Sequence, residues 1–288
     1  MDARGVRPYI ATAMDPVSFV KMHGLGNDFV IIDARERAAP LPSCAIRTIA
    51  DRRVGVGCDQ LIRLEPSITG DAFMRIWNPD GSEAEACGNG TRCVARLLME
   101  ETGRDDAGIE TESGLLKARR RGVGMFDVDM GEPRLGWQDI PLARPSDTLQ
   151  VDLGDAAPSP ATCVSIGNPH AVLFVEDCDA VDLAATGPLL EENPLFPRRA
   201  NISFASVETV TRVRARVWER GAGATRACGS AACAIAVAGH RLGLTLRHVT
   251  VALPGGALDL DWRENGHVHM TGPASLVCRG TLMPEITA

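Results

Sequence analysis

Hydrophobic and polar positions along the chain follow two periods. Short apolar or alternating runs, the mark of strands, occur at 19–23, 28–33, 61–65 and 72–77, and glycine-punctuated ones at 109–111, 115–120 and 125–130. The turn Gly24-Leu25-Gly26-Asn27 joins the first two as a hairpin, and Asn78-Pro79-Asp80-Gly81 ends the fourth. From 87 to about 102 the period becomes helical: Cys93, Val94, Leu97 and Leu98 share one face, and Gly103 is the stop. Ser43 is read as the cap of another helix, running to about 52. The second half repeats the plan, with strands at 149–153, 163–167, 171–175, 202–207, 213–218, 249–253, 257–262 and 267–270. It has a short helix at 182–190 and a helical stretch at 231–237, with Gly243 as its stop. The latter is apolar on every side, so it must be buried on every side. In a strand-rich chain this predicts a sheet curled about a central helix, once per half.

The halves share more than a plan. Cys87-Gly88-Asn89-Gly90-Thr91-Arg92-Cys93 is echoed by Cys228-Gly229-Ser230-Ala231-Ala232-Cys233, and Gly26-Asn27 by Gly167-Asn168. Both pairs are separated by the same interval (228 − 87 = 168 − 27). One offset common to two motifs points to duplication at domain scale. The prolines at 133, 141 and 145 mark the boundary. The expected fold is α+β: two pseudo-symmetric domains, each a strand-rich, barrel-like sheet around a central helix. Residues 1–17 are read as a leader without ordered structure, with Met14 as an alternative start. The N-terminal domain is placed at 18–131, with 273–288 returning to it, and the C-terminal domain at 132–272.

Composition narrows the function. With 288 residues and 45% hydrophobic content, two ordinary domains can be built. A net charge of −7 and a pI near 5.4 argue against nucleic acid or an anionic membrane and for a small-molecule substrate. No signal peptide or bilayer-length apolar run is evident, so cytoplasm is the expected location. The nine cysteines are an odd number, which reads as thiols rather than a disulfide framework. Only Cys228 and Cys233 are spaced for half a zinc site, and nothing completes it, so no metal is expected. Lys21 and Lys117 are the only lysines, which restricts Schiff-base chemistry and favours a reaction without a cofactor.

The repeated cysteines carry the chemistry. A thiol at a helix start meets unsatisfied N–H groups and the positive end of the dipole, so it is expected to lose its proton more easily. Gly88, Asn89 and Gly90 leave the backbone open to a ligand, while Cys93 and Cys233 fall later on their helices and should pack. A single activated cysteine would suit hydrolysis, served by a histidine and a carboxylate; two facing thiols suit proton exchange. One thiolate removes a proton from carbon and the opposite thiol returns one to the other face. The substrate carboxylate must then be held by many donors, as two converging helix N-termini could do. Asn27, Asn78, Asn168 and Asn201 lie at strand or turn ends, where each could hold substrate or stabilise its turn. Arg220 can grip a carboxylate and Glu219 can receive an ammonium group, unless the two form an ordinary solvated pair. His170 is read as a proton relay or a loop residue, and His23 as a packing or capping residue. A thiol-redox or metal-binding protein remains the alternative from another class, but it leaves the asparagines without a role.

The sequence resembles the diaminopimelate epimerase family over nearly everything after residue 17. The motifs that carry the resemblance are HGLGNDF at 23–29, DQ at 59–60, NPDGSEAEACGNGTRC at 78–93, GNPH at 167–170, NISF at 201–204 and ERGAGATRACGSAAC at 219–233. It implies that Cys87 and Cys228 are the acid and base thiols, with His170 and Glu219 assisting. It implies also that Gly88, Asn89, Gly229 and Ser230 cradle the reacting carboxylate, and that Asn27, Gln60, Asn78, Asn168, Asn201, Glu219 and Arg220 bind the rest of the substrate. A cleft between closing domains and a homodimer are further implications. Ala224, Arg226 and Ala231 depart from the family's common Glu, Gln and Gly, and none of the three is a residue assigned to chemistry. A proline racemase or hydroxyproline epimerase is the nearest rival, although its second cysteine typically follows an Asp-Arg-Ser-Pro style segment.

Overall fold

The computed structural model describes residues 16–84 and 87–287, so the expected leader lies outside the described residues except for its last two. The first half runs β1 (Val17–Gly24), β2 (Asn27–Asp33), α1 (Ser43–Ala50), β3 (Gln60–Glu65), β4 (Ala72–Trp77), β5 (Glu83–Ala84), α2 (Gly88–Thr102), β6 (Asp106–Thr111), β7 (Gly114–Gly122) and β8 (Met125–Asp129). The second runs β9 (Ala161–Ser165), β10 (Pro169–Phe174), α3 (Leu183–Glu191), β11 (Asn201–Thr209), β12 (Arg212–Glu219), β13 (Gly223–Thr225), α4 (Gly229–Arg241), β14 (His248–Leu253), β15 (Gly256–Trp262) and β16 (Val268–Pro273). A last strand, β17 (Ser275–Leu282), returns to pair antiparallel with β1.

The duplication extends to strand register. β2 pairs parallel with β3 through Phe29 opposite Gln60, and β10 pairs parallel with β11 through His170 opposite Asn201. Leu61 faces Trp77 across β3 and β4, as Ile202 faces Trp218 across β11 and β12. Each of these positions is displaced by the interval that separates the two cysteine motifs (170 − 29 = 201 − 60 = 202 − 61 = 218 − 77 = 228 − 87). Two junctions join the halves into one mixed sheet: β8 pairs with β16, and the chain passes from β16 through Ala274 into β17. At both tight turns the duplicated glycines, Gly26 and Gly167, adopt φ of 85° and 87°, which a residue with a Cβ rarely tolerates.

Side-chain alternation explains why so many strands are apolar on both faces. On β2, Phe29 and Ile31 point inward to α2, while Val30 and Ile32 point outward into a second core under α1 with Ile46, Ile49 and Trp77. β10 repeats this, with Val172 in the inner core and Ala171 and Leu173 in the outer core shared with α3. The central helices touch one another, and both contribute to a single inner core. In α4 the residues from Ala231 to Gly239 are all buried, and its alanines let strands close in on every side. Gly103 ends α2 in the left-handed conformation at φ 71°.

Two local expectations are corrected. Ser43 is the first helical residue of α1, not its cap; Pro42 holds that position with no side-chain bond, because its fixed φ suits the helix start. The strand expected at 149–153 is reduced to a single bridge between Val151 and Ala161, its alternating side chains serving the outer core instead of a ladder.

The all-round burial of α4 predicts a large cavity penalty. Ile235 has no exposed surface, so Ile235→Ala should lower unfolding free energy by about 2–5 kcal/mol in a urea titration; a loss below about 1 kcal/mol would mean that α4 is not clamped on all sides.

Candidate active site

Both repeated cysteines occupy the N-cap position of a central helix, Cys87 on α2 and Cys228 on α4, each with extended backbone. The first intrahelical bonds run from Thr91 N–H to the Cys87 carbonyl at 2.9 Å and from Ala232 N–H to the Cys228 carbonyl at 3.1 Å. The N–H groups of Gly88, Asn89, Gly229 and Ser230 therefore precede the helical ladder, and that of Asn89 turns toward the Cys87 thiol.

The two helix starts meet. Asn89 Nδ2 donates to the carbonyl of Ala227, the residue before Cys228, at 3.1 Å. A Cβ built on Gly88 would lie 2.8 Å from Met270 Cε, and one on Gly229 would lie 2.9 Å from Met270 Sδ and 3.5 Å from Asn89 Oδ1. One methionine thus packs against both glycines, and a larger residue at either would have to displace it.

Around Cys87, Asn27 Oδ1 faces Sγ at 3.8 Å and accepts from Asn89 Nδ2 at 3.1 Å, while Gly90 N–H reaches Sγ at 3.5 Å. Asn27 Nδ2 is held by Asp59 Oδ2 at 3.0 Å. Around Cys228, Ser230 Oγ stands 3.5 Å from Sγ and accepts from Asn168 Nδ2 at 3.3 Å. His170 Nε2 lies 2.8 Å from Asn168 Oδ1. The Cys228 thiol also hydrogen-bonds Glu219, which in turn accepts from Thr225 Oγ1. Gln60 Nε2 donates to Asn78 Oδ1 at 3.1 Å, and Asn201 Oδ1 accepts the Arg220 N–H at 3.0 Å while its amide donates to the Pro169 carbonyl. The Arg220 side chain is exposed and reaches the Arg198 carbonyl. Cys93 and Cys233 are fully buried in the inner core, as expected of packing residues, and His23 Nδ1 accepts from Gly26 N–H within its turn.

The electrostatics run opposite to the expectation for a helix-start thiol. Burial pushes Cys87 up to about 11, helped by the Glu219 charge, against the Gly90 N–H and Arg92. Burial, then the Glu219 charge, pushes Cys228 well above the ordinary thiol range. Desolvation outweighs the dipole here, so both thiols are protonated in the substrate-free protein. Glu219 is itself raised by burial, against hydrogen bonds from Thr225 and Cys228. His170 has no exposed surface; burial, and then the Arg220 charge, holds it down to about 3, a neutral imidazole whose Nδ1 has no partner among the described residues. It therefore reaches the site through Asn168 and not as a charged acid.

Sequence reasoning missed Asp59, Thr225, Arg92 and Met270. The shared offset offered a partial signal, since Gln60 and Asn78 stand at the repeat interval from Asn201 and Glu219 (201 − 60 = 219 − 78 = 228 − 87). Two sizeable cavities, about 770 Å³ beside β1 and β17 and about 620 Å³ beside α3, are lined by none of the residues above. Among the described residues, one group is close enough for a metal, Asp177, Cys178 and Asp179; Arg214 pairs with both of its carboxylates.

The chain is similar over most of its length to proteins of known kind. The diaminopimelate epimerase family profile matches residues 19–136 and 162–277. A diaminopimelate epimerase of Rhodospirillum centenum is 54% identical over 92% of this chain and 91% of the relative; one of Acidiphilium cryptum is 53% identical over 92% and 95%. In fold, a probable proline racemase of Agrobacterium radiobacter superposes with a TM-score of 0.68 at 15% identity, covering 94% of this chain and 96% of the other. A phenazine biosynthesis protein of the PhzF family from Bacillus anthracis gives 0.66 at 18% identity, covering 94% and 100%. The matched residues span both halves and both cysteine motifs, and the chain belongs to the diaminopimelate epimerase family.

Proposed function

We propose that this chain interconverts LL- and meso-2,6-diaminopimelate by proton exchange between Cys87 and Cys228, without a cofactor. The observation that carries the assignment of roles is the meeting of two cysteine-capped helix starts at one point, with Asn89 bonded to the residue before Cys228. As substrate binds, one thiol gives up its proton to solvent, and the resulting thiolate takes the α-proton; the C–H bond breaks and its electron pair moves toward the carboxylate. The other thiol gives its proton to the opposite face of the same carbon, and the centre inverts. The N–H groups of Gly88, Asn89, Gly229 and Ser230 hold the carboxylate as negative charge grows on it. Asn27 and Ser230 align the two thiols, and His170 fixes Asn168 behind Ser230. Gln60, Asn78, Asn168, Asn201, Glu219 and Arg220 bind the remainder of the diamino diacid, with Glu219 placed to serve both the Cys228 proton and an ammonium group.

In the same reading the domains divide at 131/132, with 273–288 returning to the first; the junctions at β8–β16 and β16–β17 support this division. The enzyme acts on a small molecule, and no helix among the described residues is long and apolar enough to cross a membrane. A homodimer in the cytoplasm is the assembly and location that accompany this reading.

Two outcomes test it. In D₂O, LL-diaminopimelate should give meso product carrying one α-deuterium, and Cys87→Ala and Cys228→Ala should each lower turnover by about 10³-fold or more; near-normal turnover in either variant would end the two-thiol assignment. Because Cys87 is raised to about 11, its proton is in place at neutral pH. Its alkylation in the substrate-free enzyme, followed by peptide mass spectrometry, should rise about tenfold per pH unit from 7 to 10. A rate flat across that window would instead indicate a thiolate already formed at pH 7.

A further inference from the structure

Arg92 is the largest side chain with no exposed surface, and it is a cation. Its Nη2 donates to Asn89 Oδ1 at 2.7 Å, its Nε to the Pro273 carbonyl at 3.2 Å, and its Nη1 lies 3.3 Å from Met270 Sδ. Among the described residues no carboxylate receives any of these donors. A buried, unpaired guanidinium is costly, and arginine cannot escape the cost by deprotonating; burial nevertheless pulls its pKa downward.

The three contacts lead to three parts of the site. Asn89 is at the start of α2 and bonds both Asn27, which faces Cys87, and the Ala227 carbonyl next to Cys228. Met270 is the side chain packed against Gly88 and Gly229 together. Pro273 lies at the junction where β16 of the second half hands over to β17 of the first. The polarity of the amide chain is also defined at both ends. Arginine only donates, so Asn89 turns its oxygen to Arg92 and its NH₂ to Asn27 and Ala227; the Asp59 carboxylate, which accepts from the Asn27 amide, defines the far end.

We propose that Arg92 is a positioning residue for the proton exchange: through Asn89 and Met270 it holds the two cysteine-bearing helix starts in register across the junction of the halves. It touches neither thiol in a hydrogen bond and acts only through its neighbours. A rigid buttress with no bearing on the reaction would affect stability alone, and the two roles separate experimentally.

The proposal rests on the two-thiol reading above, and the test begins with wild-type enzyme and LL-diaminopimelate in D₂O. No label in either isomer from wild type would end that reading, not this one. The quantity followed is the ratio of α-deuterium in returned LL substrate to that in inverted meso product. Partial unfolding lowers both in proportion and leaves the ratio unchanged; a misaligned second thiol lets the carbanion persist, so the first thiol exchanges with solvent and returns label to the starting isomer. Arg92→Lys, which keeps the charge but cannot reach all three partners, should lower kcat about tenfold to a hundredfold, change KM less than about threefold, and raise the ratio severalfold. Arg92→Met should do the same or more. A kcat loss matched by the folded fraction, with an unchanged ratio, overturns the proposal. Should both variants fail to fold, Met270→Leu preserves volume and removes the sulfur and terminal methyl that Arg92 and the glycines contact; a raised ratio supports the proposal and an unchanged ratio overturns it.

Discussion

The structure depends on two helix N-termini being brought to one place. A helix start left without partners is a cost, and two of them together inside a protein would be a larger one. The protein meets it only in part. Asn89 crosses to the Ala227 carbonyl, Asn27 and Ser230 face the cysteine sulfurs, and the first N–H groups of both helices lie ahead of the helical ladder. The mixed sheet can close around α2 and α4 because those helices bury their sides in a shared core, and the junctions at β8–β16 and β16–β17 tie the two halves together. What remains unsatisfied is concentrated where a carboxylate can complete it.

That concentration explains the behaviour of the thiols. The helix dipole and the Gly90 N–H favour a Cys87 thiolate, but an interior site withdraws the water that would solvate it, and the second effect is larger. Glu219 adds negative charge beside both sulfurs. A positive charge placed beside either sulfur would oppose that effect and favour the thiolate. In the empty protein both thiols keep their protons.

Much of this is legible in the residues. β2 and β10 are runs of apolar residues because each is covered on both faces, and the helical period at 87–102 is matched by α2 because Cys93, Val94 and Leu98 all face inward and Gly103 adopts the conformation expected of a stop. The duplicated Gly-Asn and Cys-Gly motifs locate the site through their common offset. Other features leave no local trace. The strand expected at 149–153 alternates like a ladder strand, but alternation reports a half-buried face and not a pairing partner. Ser43 resembles a cap by residue type, which says nothing of its own φ and ψ. The direction of the thiol shifts depends on burial, a property of the whole fold that a motif cannot reveal. Arg92 is hidden by the repeat itself, because its counterpart at the repeat interval is Cys233, a core residue (233 − 92 = 228 − 87).

The pattern of matched and unmatched positions between the halves fits the symmetry of the reaction. Inversion at one carbon needs the same kind of group on each face, and the positions that serve it are paired: Cys87 with Cys228, Gly88 with Gly229, Asn27 with Asn168. The second stereocentre stays unchanged, so the groups that receive it need no counterpart on the opposite face. Of the positions proposed for the rest of the substrate, Asn168 keeps an identical counterpart in Asn27, while the others differ, with Gln60 against Asn201, Asn78 against Glu219, and Arg220 against Pro79. Gln60 and Asn78 bond one another, whereas their counterparts do not: Asn201 accepts the Arg220 N–H and Glu219 turns to Thr225 and Cys228. The repeat places two matched thiols on one scaffold, and most of the flanking polar positions have diverged between the halves. The repeat symmetry is thus retained at the thiols and the glycines that follow them, and lost at most of the polar positions around them.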